Sequence, residues 1–155
     1  VLTSSAKKRT LNNYIRKFAS QHQRSRIAQT WILSPKSDPT DIAGFFSLSA
    51  AQIQIEEAPA EITKRLPRYP IPAARIAQLA RDTRYKGNRV GPILLASALN
   101  QVLLSSETMG IRVVIVDALN ERAATFYESF GFSRLPQRSL SLVATLANVA
   151  ETKKP

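Results

Sequence analysis

The chain has 155 residues, 44% of them hydrophobic, with no cysteine, one histidine and a formal net charge of +11. This length serves one sizeable hydrophobic core and is short for two, so a single domain over residues 1–155 is expected. The lack of cysteine excludes disulfides, thiolate metal sites and a thiol nucleophile, and His22 alone excludes a paired-histidine zinc site.

The first residues are basic (Lys7, Lys8, Arg9), but they continue as Thr10-Leu11-Asn12-Asn13 and not as the apolar run of a signal peptide. No segment approaches membrane-spanning length, so a soluble, cytoplasmic protein without a membrane partner is expected. Leu11, Tyr14, Ile15 and Phe18 recur at three and four residues, predicting an amphipathic helix from Leu11 to about Arg24 with a basic polar face and His22 near its end. Residues 26–33 alternate, with Ile27, Gln29, Trp31 and Leu33 on one side, as in a strand. Ser34 to Pro39 reads as a turn, and the β-prone run from Ile42 to Ile55 returns antiparallel to complete a hairpin. Pro59 precedes a short helix over residues 60–66, after which Pro67, Pro70 and Pro72 keep the chain extended or turning.

Residues 73–82 read as a strand around Ile76 and Leu79, and 83–89 as a loop. The strongest helical signal spans 91–109, where Ile93, Leu94, Ala98, Leu99, Val102 and Leu103 supply a broad apolar face and Gly110 a stop. Residues 111–116 are rich in β-branched side chains and suit a buried strand. Asn120 is an N-cap for a helix through Phe130 that ends at Gly131, and 140–146 form a last strand. The order helix, hairpin, strand, helix, strand, helix, strand predicts an α/β or α+β domain with a mixed sheet.

The charge is unevenly spread. Eight Lys or Arg residues precede the first acid, Asp38, and Lys64, Arg65, Arg68, Arg75, Arg81, Arg84, Lys86 and Arg89 share their span with one acid, Asp82. Such a field attracts polyanions: nucleic acid, anionic lipid or a phosphorylated cofactor. For any one lysine, a solvated surface is an equally good account. Neither G-x-x-x-x-G-K-(S/T) nor G-x-G-x-x-G occurs, which leaves Arg84-Tyr85-Lys86-Gly87-Asn88-Arg89-Val90-Gly91, between a strand and a long helix, as the informative segment. Glycines let consecutive N–H groups turn toward one point, and a helix start adds unpaired donors and a positive dipole end, which suits a phosphate or pyrophosphate. A turn that needs glycine for its backbone alone explains the segment equally well.

That segment resembles the acyl-CoA-binding signature of GNAT acetyltransferases, (Q/R)-x-x-G-x-(G/A). Arg84 and Gly87 match, Gly91 stands where many members have a further glycine, and Arg89 departs from the pattern. A side chain at 89 either crowds a pyrophosphate or adds a contact to it. Downstream, Val113 to Ala118 and Asn120 to Phe132 are similar to the family's later strand and helix, ending in A-x-x-F-Y-x-x-x-G-F from Ala123 to Phe132. Leu11, Asn12, Tyr14, Ala19, Gln21, Arg24, Ala28, Thr30 and Trp31, with Leu66 to Pro72, narrow the resemblance to the GNAT toxins of bacterial type II toxin–antitoxin modules, over roughly residues 10–146. Those proteins usually carry more sequence before the first helix, including an opening strand.

The resemblance implies a mixed, mostly antiparallel sheet with splayed central strands and flanking helices. It implies acetyl-CoA as cofactor, its pantetheine held by backbone groups of Leu79, Ala80 and Arg81 much as an added strand is. Its diphosphate would lie on Lys86, Gly87, Asn88, Arg89, Val90, Gly91 and Pro92, with Asn120 and Phe126 as further contacts. Tyr127 is the implied general acid, since a phenol of reference pKa near ~10 is protonated at neutral pH. From the residues alone Tyr127 reads instead as packing on a helix whose Ala123, Phe126 and Phe130 form an apolar face. Glu56 and Glu57 stand where some members hold a base, although helix-starting surface carboxylates explain them equally well. The implied acceptor is the α-amine of aminoacyl-tRNA, whose acetylation blocks translation. Lys7, Lys8, Arg9, Arg16, Lys17, Arg24, Lys64, Arg65 and Arg68 would hold tRNA phosphates. A ribbon-helix-helix antitoxin and a homodimer are the implied protein partners. Two other readings stand beside this one: a GNAT enzyme acting on a small amine or a protein N-terminus, and a non-enzymatic module whose glycine loop grips nucleic-acid phosphate.

Overall fold

The computed structural model describes residues 2–3 and 15–151. Lys7, Lys8, Arg9 and the expected helix residues Leu11 to Tyr14 lie outside them. The order is β1 (Leu2–Thr3), a π-helical stretch Ile15–Ala19 continuing as α1 (Ser20–Arg24), β2 (Gln29–Leu33), β3 (Gly44–Ile53), α2 (Ala60–Thr63), β4 (Ile71–Asp82), a 3-10 turn at Thr83–Tyr85 and α3 (Val90–Ser105). β5 (Val113–Asp117), α4 (Glu121–Glu128), β6 (Ser133–Leu135), β7 (Arg138–Thr145) and α5 (Leu146–Glu151) follow. The expected mixed, mostly antiparallel sheet is present, in the order β2-β3-β4-β5-β7-β6, and β1 pairs in parallel with β4 through Leu2↔Arg81 and Thr3↔Asp82. An opening strand is therefore present, two residues long. No helix among the described residues is long and apolar enough to cross a membrane.

Two compact units divide the chain: one holds residues up to Ser49 with Ile76–Ala98, the other Ala50–Arg75 with the residues from Leu99 onward. In the first unit, α1 ends where Arg26 takes a left-handed φ of 57° and the amides of Ile27 and Ala28 bond back to the His22 carbonyl. This turn delays β2 to Gln29, three residues later than the alternation suggests. β2 and β3 pair antiparallel from Gln29↔Leu48 to Leu33↔Gly44, and Trp31 stacks on its cross-strand partner Phe46 at 5.1 Å. Such a pair adds roughly 0.5–1 kcal/mol to a hairpin. Phe45, Phe46, Ile76, Leu79, Val90, Leu94, Leu95 and Ala98 are buried.

In the second unit, Val113 to Val116 of β5 are all buried, as their unbroken apolar run predicts. β5 pairs antiparallel with β7 from Val113↔Thr145 to Asp117↔Ser141, and the amide of Arg112 reaches the Pro72 carbonyl at the start of β4. Ile53, Ile62, Ile71, Val113, Ile115, Leu135 and Val143 share one apolar cluster, against which Leu66 packs. α2 ends at Thr63, three residues short of the expected Leu66, and β4 begins at Ile71, two residues early. Three larger features also differ from the expectations. The last strand is a hairpin, β6–β7, with an irregularity between Arg134 and Leu135, and it is followed by α5, whose first turn is tied by Asn148 N–H to Thr145 Oγ1 at 3.2 Å. α3 stops at Ser105 and not at Gly110, because the Ser106 and Thr108 hydroxyls bond to the carbonyls of Leu103 and Ser105 and turn the chain early.

Candidate active site

β4 delivers the chain into the glycine loop. Leu79 is buried and Ala80 and Arg81 half-buried near the end of β4, followed by the 3-10 turn and then Lys86, Gly87, Asn88 and Arg89, all exposed. Gly87 has φ +88° and Arg89 φ +58°. Two left-handed residues flank Asn88, whose own amide donates to the Tyr85 carbonyl at 3.1 Å, and the first N–H groups of α3 have no intrahelical acceptor. Val90 and Gly91 are buried in the opening turn of α3, and Pro92 needs no N–H partner there. These features suit a diphosphate.

Arg89 occupies the position that departs from the GNAT signature, and its left-handed backbone suits the glycine that the signature allows there. An L-residue in this region costs about 1 kcal/mol. Arg89→Gly is therefore expected to raise stability by up to about 1 kcal/mol, part of the gain being offset by the larger chain entropy of glycine. Thermal melting checks this, and a lower midpoint for the variant would mean that the Arg89 side chain makes a compensating contact.

The matching arginine of the signature is committed elsewhere. Arg84 places Nη2 2.9 Å from Asp82 Oδ2 and 2.9 Å from Asp41 Oδ1, and its Nε is 3.1 Å from Asp82 Oδ2. Asp82 also caps the 3-10 turn, accepting from the Arg84 amide at 2.9 Å. The Tyr85 hydroxyl donates to Asp41 Oδ2. The two carboxylates are almost wholly buried, at 1% exposure for Asp82 and 8% for Asp41. Their hydrogen bonds, that of Asp82 first, hold the guanidinium of Arg84 well above its ordinary pKa, and the bond to Asp41 raises the phenol of Tyr85. The sequence assigns neither acid a role. The signal available was Asp82, two residues before Arg84, in a stretch otherwise free of acids.

In the second unit, Asn120 is the N-cap of α4, its side-chain oxygen accepting from the Ala123 amide at 2.9 Å. The buried face of α4 is Ala123, Ala124 and Tyr127; Phe126 is half-buried, and Phe130, expected on the apolar face, lies beyond the helix and is exposed. Gly131, φ +91°, ends the segment and lets the Phe132 amide return to the Tyr127 carbonyl. Tyr127 is 1% exposed, with Phe126 and Phe132 edge-on at 5.3 and 5.7 Å. Burial raises its pKa well above the usual phenol value. Glu57 serves its own turn, accepting from the Gln54 amide at 3.3 Å, and pairs with Arg138 at 3.6 Å.

Of the basic residues expected to face nucleic acid, Lys17 and Arg24 are exposed in the first unit, and Lys64, Arg65 and Arg68 are exposed after α2 in the second. Lys7, Lys8, Arg9 and the Arg16 side chain lie outside what is described.

β4, the glycine loop and α3, in a mixed sheet with flanking helices, define a GNAT-type acetyltransferase fold. No family model matches the chain. It is 26% identical over 147 residues to a protein named probable toxin TacT from Sinorhizobium fredii, covering 90% of this chain and 81% of that protein. To a tRNA-acetylating toxin of Mycobacterium tuberculosis it is 28% identical over 102 residues, 66% of this chain and 61% of that one. Among solved structures it superposes on AtaT complexed with acetyl-methionyl-tRNAfMet with a TM-score of 0.84 and 26% identity, over 94% of this chain and 87% of the other. A mutant of the AtaT toxin has also been solved bound to the C-terminus of the antitoxin AtaR and acetyl-CoA, where the TM-score is 0.76 at 25% identity, over 96% and 87% of the two chains. The likeness read from the motifs, to GNAT toxins of toxin–antitoxin systems, holds in both sequence and fold.

Proposed function

We propose that the chain is an acetyl-CoA-dependent N-acetyltransferase whose acceptor is the α-amino group of aminoacyl-tRNA, and that it acts as a toxin by blocking translation. The observation that carries this reading is the left-handed glycine loop at the start of α3, within a fold that superposes closely on AtaT, a protein solved with acetyl-methionyl-tRNAfMet.

The whole of 1–155 works as one acetyltransferase domain. The left-handed loop offers main-chain N–H groups and cationic Lys86 and Arg89, a donor set that fits a diphosphate. Lys86, Gly87, Asn88, Arg89, Val90, Gly91 and Pro92 hold the cofactor there, backbone groups of Leu79, Ala80 and Arg81 take the pantetheine, and Asn120 and Phe126 add contacts. Acetyl-CoA supplies the activated acetyl group. An N–H near Ala80 or Arg81 steadies the negative charge that develops on the acetyl oxygen. Tyr127 Oη carries the proton needed by the departing sulfur. No base is required: an α-amine of pKa roughly 8 is already partly neutral at pH 7, and Glu57 is engaged by Arg138 and its own turn.

Lys7, Lys8, Arg9, Arg16, Lys17, Arg24, Lys64, Arg65 and Arg68 hold tRNA phosphates without reading sequence. The site of action is the cytoplasm, where charged tRNA is found. A ribbon-helix-helix antitoxin silences the toxin, a partnership supported by the antitoxin-bound form of AtaT, and the active form is a homodimer.

The test is incubation with acetyl-CoA and a pool of charged tRNA over a series of salt concentrations. Acetyl-aminoacyl-tRNA should form, and kcat/KM should fall at least about tenfold between roughly 50 and 200 mM salt, because displaced counterions oppose binding. A transfer rate indifferent to salt would favour a small amine as acceptor, and no acetyl-CoA binding at all would favour the non-enzymatic module.

A further inference from the structure

We infer that Asp41 is a positioning residue for the diphosphate loop, acting through Arg84 and Tyr85; this rests on the acetyl-CoA reading above. The loop must present its amides in one arrangement, yet Lys86, Gly87, Asn88 and Arg89 are exposed and two of them hold left-handed backbone. Within it the Asn88 amide bonds back to the Tyr85 carbonyl at 3.1 Å, and further support acts at its ends. On the α3 side, Val90 and Gly91 are buried. On the β4 side the anchor is polar. Asp82 binds the Arg84 amide and guanidinium, and Asp41, 43 residues earlier in the chain, takes the same guanidinium at 2.9 Å and the Tyr85 hydroxyl.

Asp41 is itself fixed. Its amide donates to the Asp38 carbonyl at 3.1 Å, and its Oδ1 accepts from the Ile42 amide at 3.0 Å. Two residues on, Ala43 ties this segment to both neighbouring strands, its amide donating to Leu33 and its carbonyl accepting from Asp82, each at 2.9 Å. Asp41 therefore fastens Arg84 and Tyr85, the two residues preceding Lys86, to the hydrogen-bonded segment that leads into β3. A buried carboxylate that accepts several charge-assisted bonds holds its partners firmly, and supporting contacts of this kind keep a site in its productive geometry. Arg84, the signature arginine, acts here as a strut and not as a phosphate ligand.

Charge and position predict opposite signs, which makes the idea testable. A carboxylate near a diphosphate repels it, so if charge alone mattered, removing Asp41 would tighten acetyl-CoA binding. If Asp41 positions the loop, Asp41→Ala weakens acetyl-CoA binding by about tenfold. In that case kcat at saturating acetyl-CoA stays within about twofold, KM for charged tRNA is unchanged, and Asp41→Asn, which keeps an acceptor for Tyr85, recovers most of the affinity. Tyr85→Phe, which removes only the hydroxyl, should weaken binding about threefold in a protein of near wild-type stability. The measurement is calorimetric titration with acetyl-CoA beside thermal melting of each variant. Unchanged or tighter binding by a folded Asp41→Ala protein overturns the inference; should that variant fail to fold, unchanged binding by Tyr85→Phe overturns it. A wild-type chain that does not bind acetyl-CoA would instead sink the acetyltransferase reading.

Discussion

Tyr127→Phe is expected to lower acetyl transfer to charged tRNA by about 100-fold or more, the usual scale for losing a positioned acid. The substitution removes one oxygen and leaves the ring, whose edge-on contacts with Phe126 and Phe132 and near-complete burial are properties of its carbon skeleton. Stability should therefore change by no more than about 1 kcal/mol in either direction, and acetyl-CoA binding should survive. The loss belongs in kcat. Burial raises the phenol pKa, so the group stays protonated across the whole working range and its proton adds no alkaline limb to the rate profile below about pH 10. The linkage has a definite sign: the folded state resists ionisation more than the unfolded chain does, so this contribution to stability is complete below about pH 10 and is lost as pH rises beyond it. Full activity in the Phe variant, measured with the same charged tRNA pool, would return Tyr127 to the status of a core aromatic.

Gly44→Ala should clearly destabilise the first unit. An added Cβ would lie 2.7 Å from the Ala80 carbonyl oxygen, 2.7 Å from Leu94 Cδ1 and 3.3 Å from Val90 Cγ1. The leucine end can rotate away, whereas the carbonyl is backbone of β4 and has to move with its strand. Overpacking of this kind costs about 1–3 kcal/mol, a shift of several degrees in melting temperature for a chain of this size. The same displacement moves Ala80, one of the residues assigned to pantetheine, so acetyl-CoA affinity should drop together with stability. Denaturant titration and calorimetry on the same sample test both halves. A variant of wild-type stability would mean that β3 and β4 tolerate a wider spacing, and one that is less stable but binds acetyl-CoA normally would remove Ala80 from the site.

Much of this architecture was legible before any coordinates. The buried run of β5, the antiparallel pairing of β2 with β3, the Asn120 cap and the turn at Gly131 each depend on residues close in the chain, where backbone preference and apolar spacing act directly. The glycine loop was legible for the same reason, down to the anomaly at Arg89, whose left-handed backbone suits the glycine that the family pattern allows there. Less was visible where elements are short. β6 has three residues and α5 six, too few for a period to show and too few to be stable outside their tertiary setting.

The amino-acid order alone determined the local conformations and the kind of chemistry they suit, because φ preferences, caps and alternation are nearest-neighbour properties. Tertiary structure decided which side chains face inward. Leu95 is buried on α3 while Ile93 stands exposed, and Tyr127 is the core aromatic while Phe130 is exposed, since burial follows from what packs against an element and not from its own period. It also decided that Asp41 meets Arg84 and Tyr85, a pairing across more than forty residues that only the folded chain brings about.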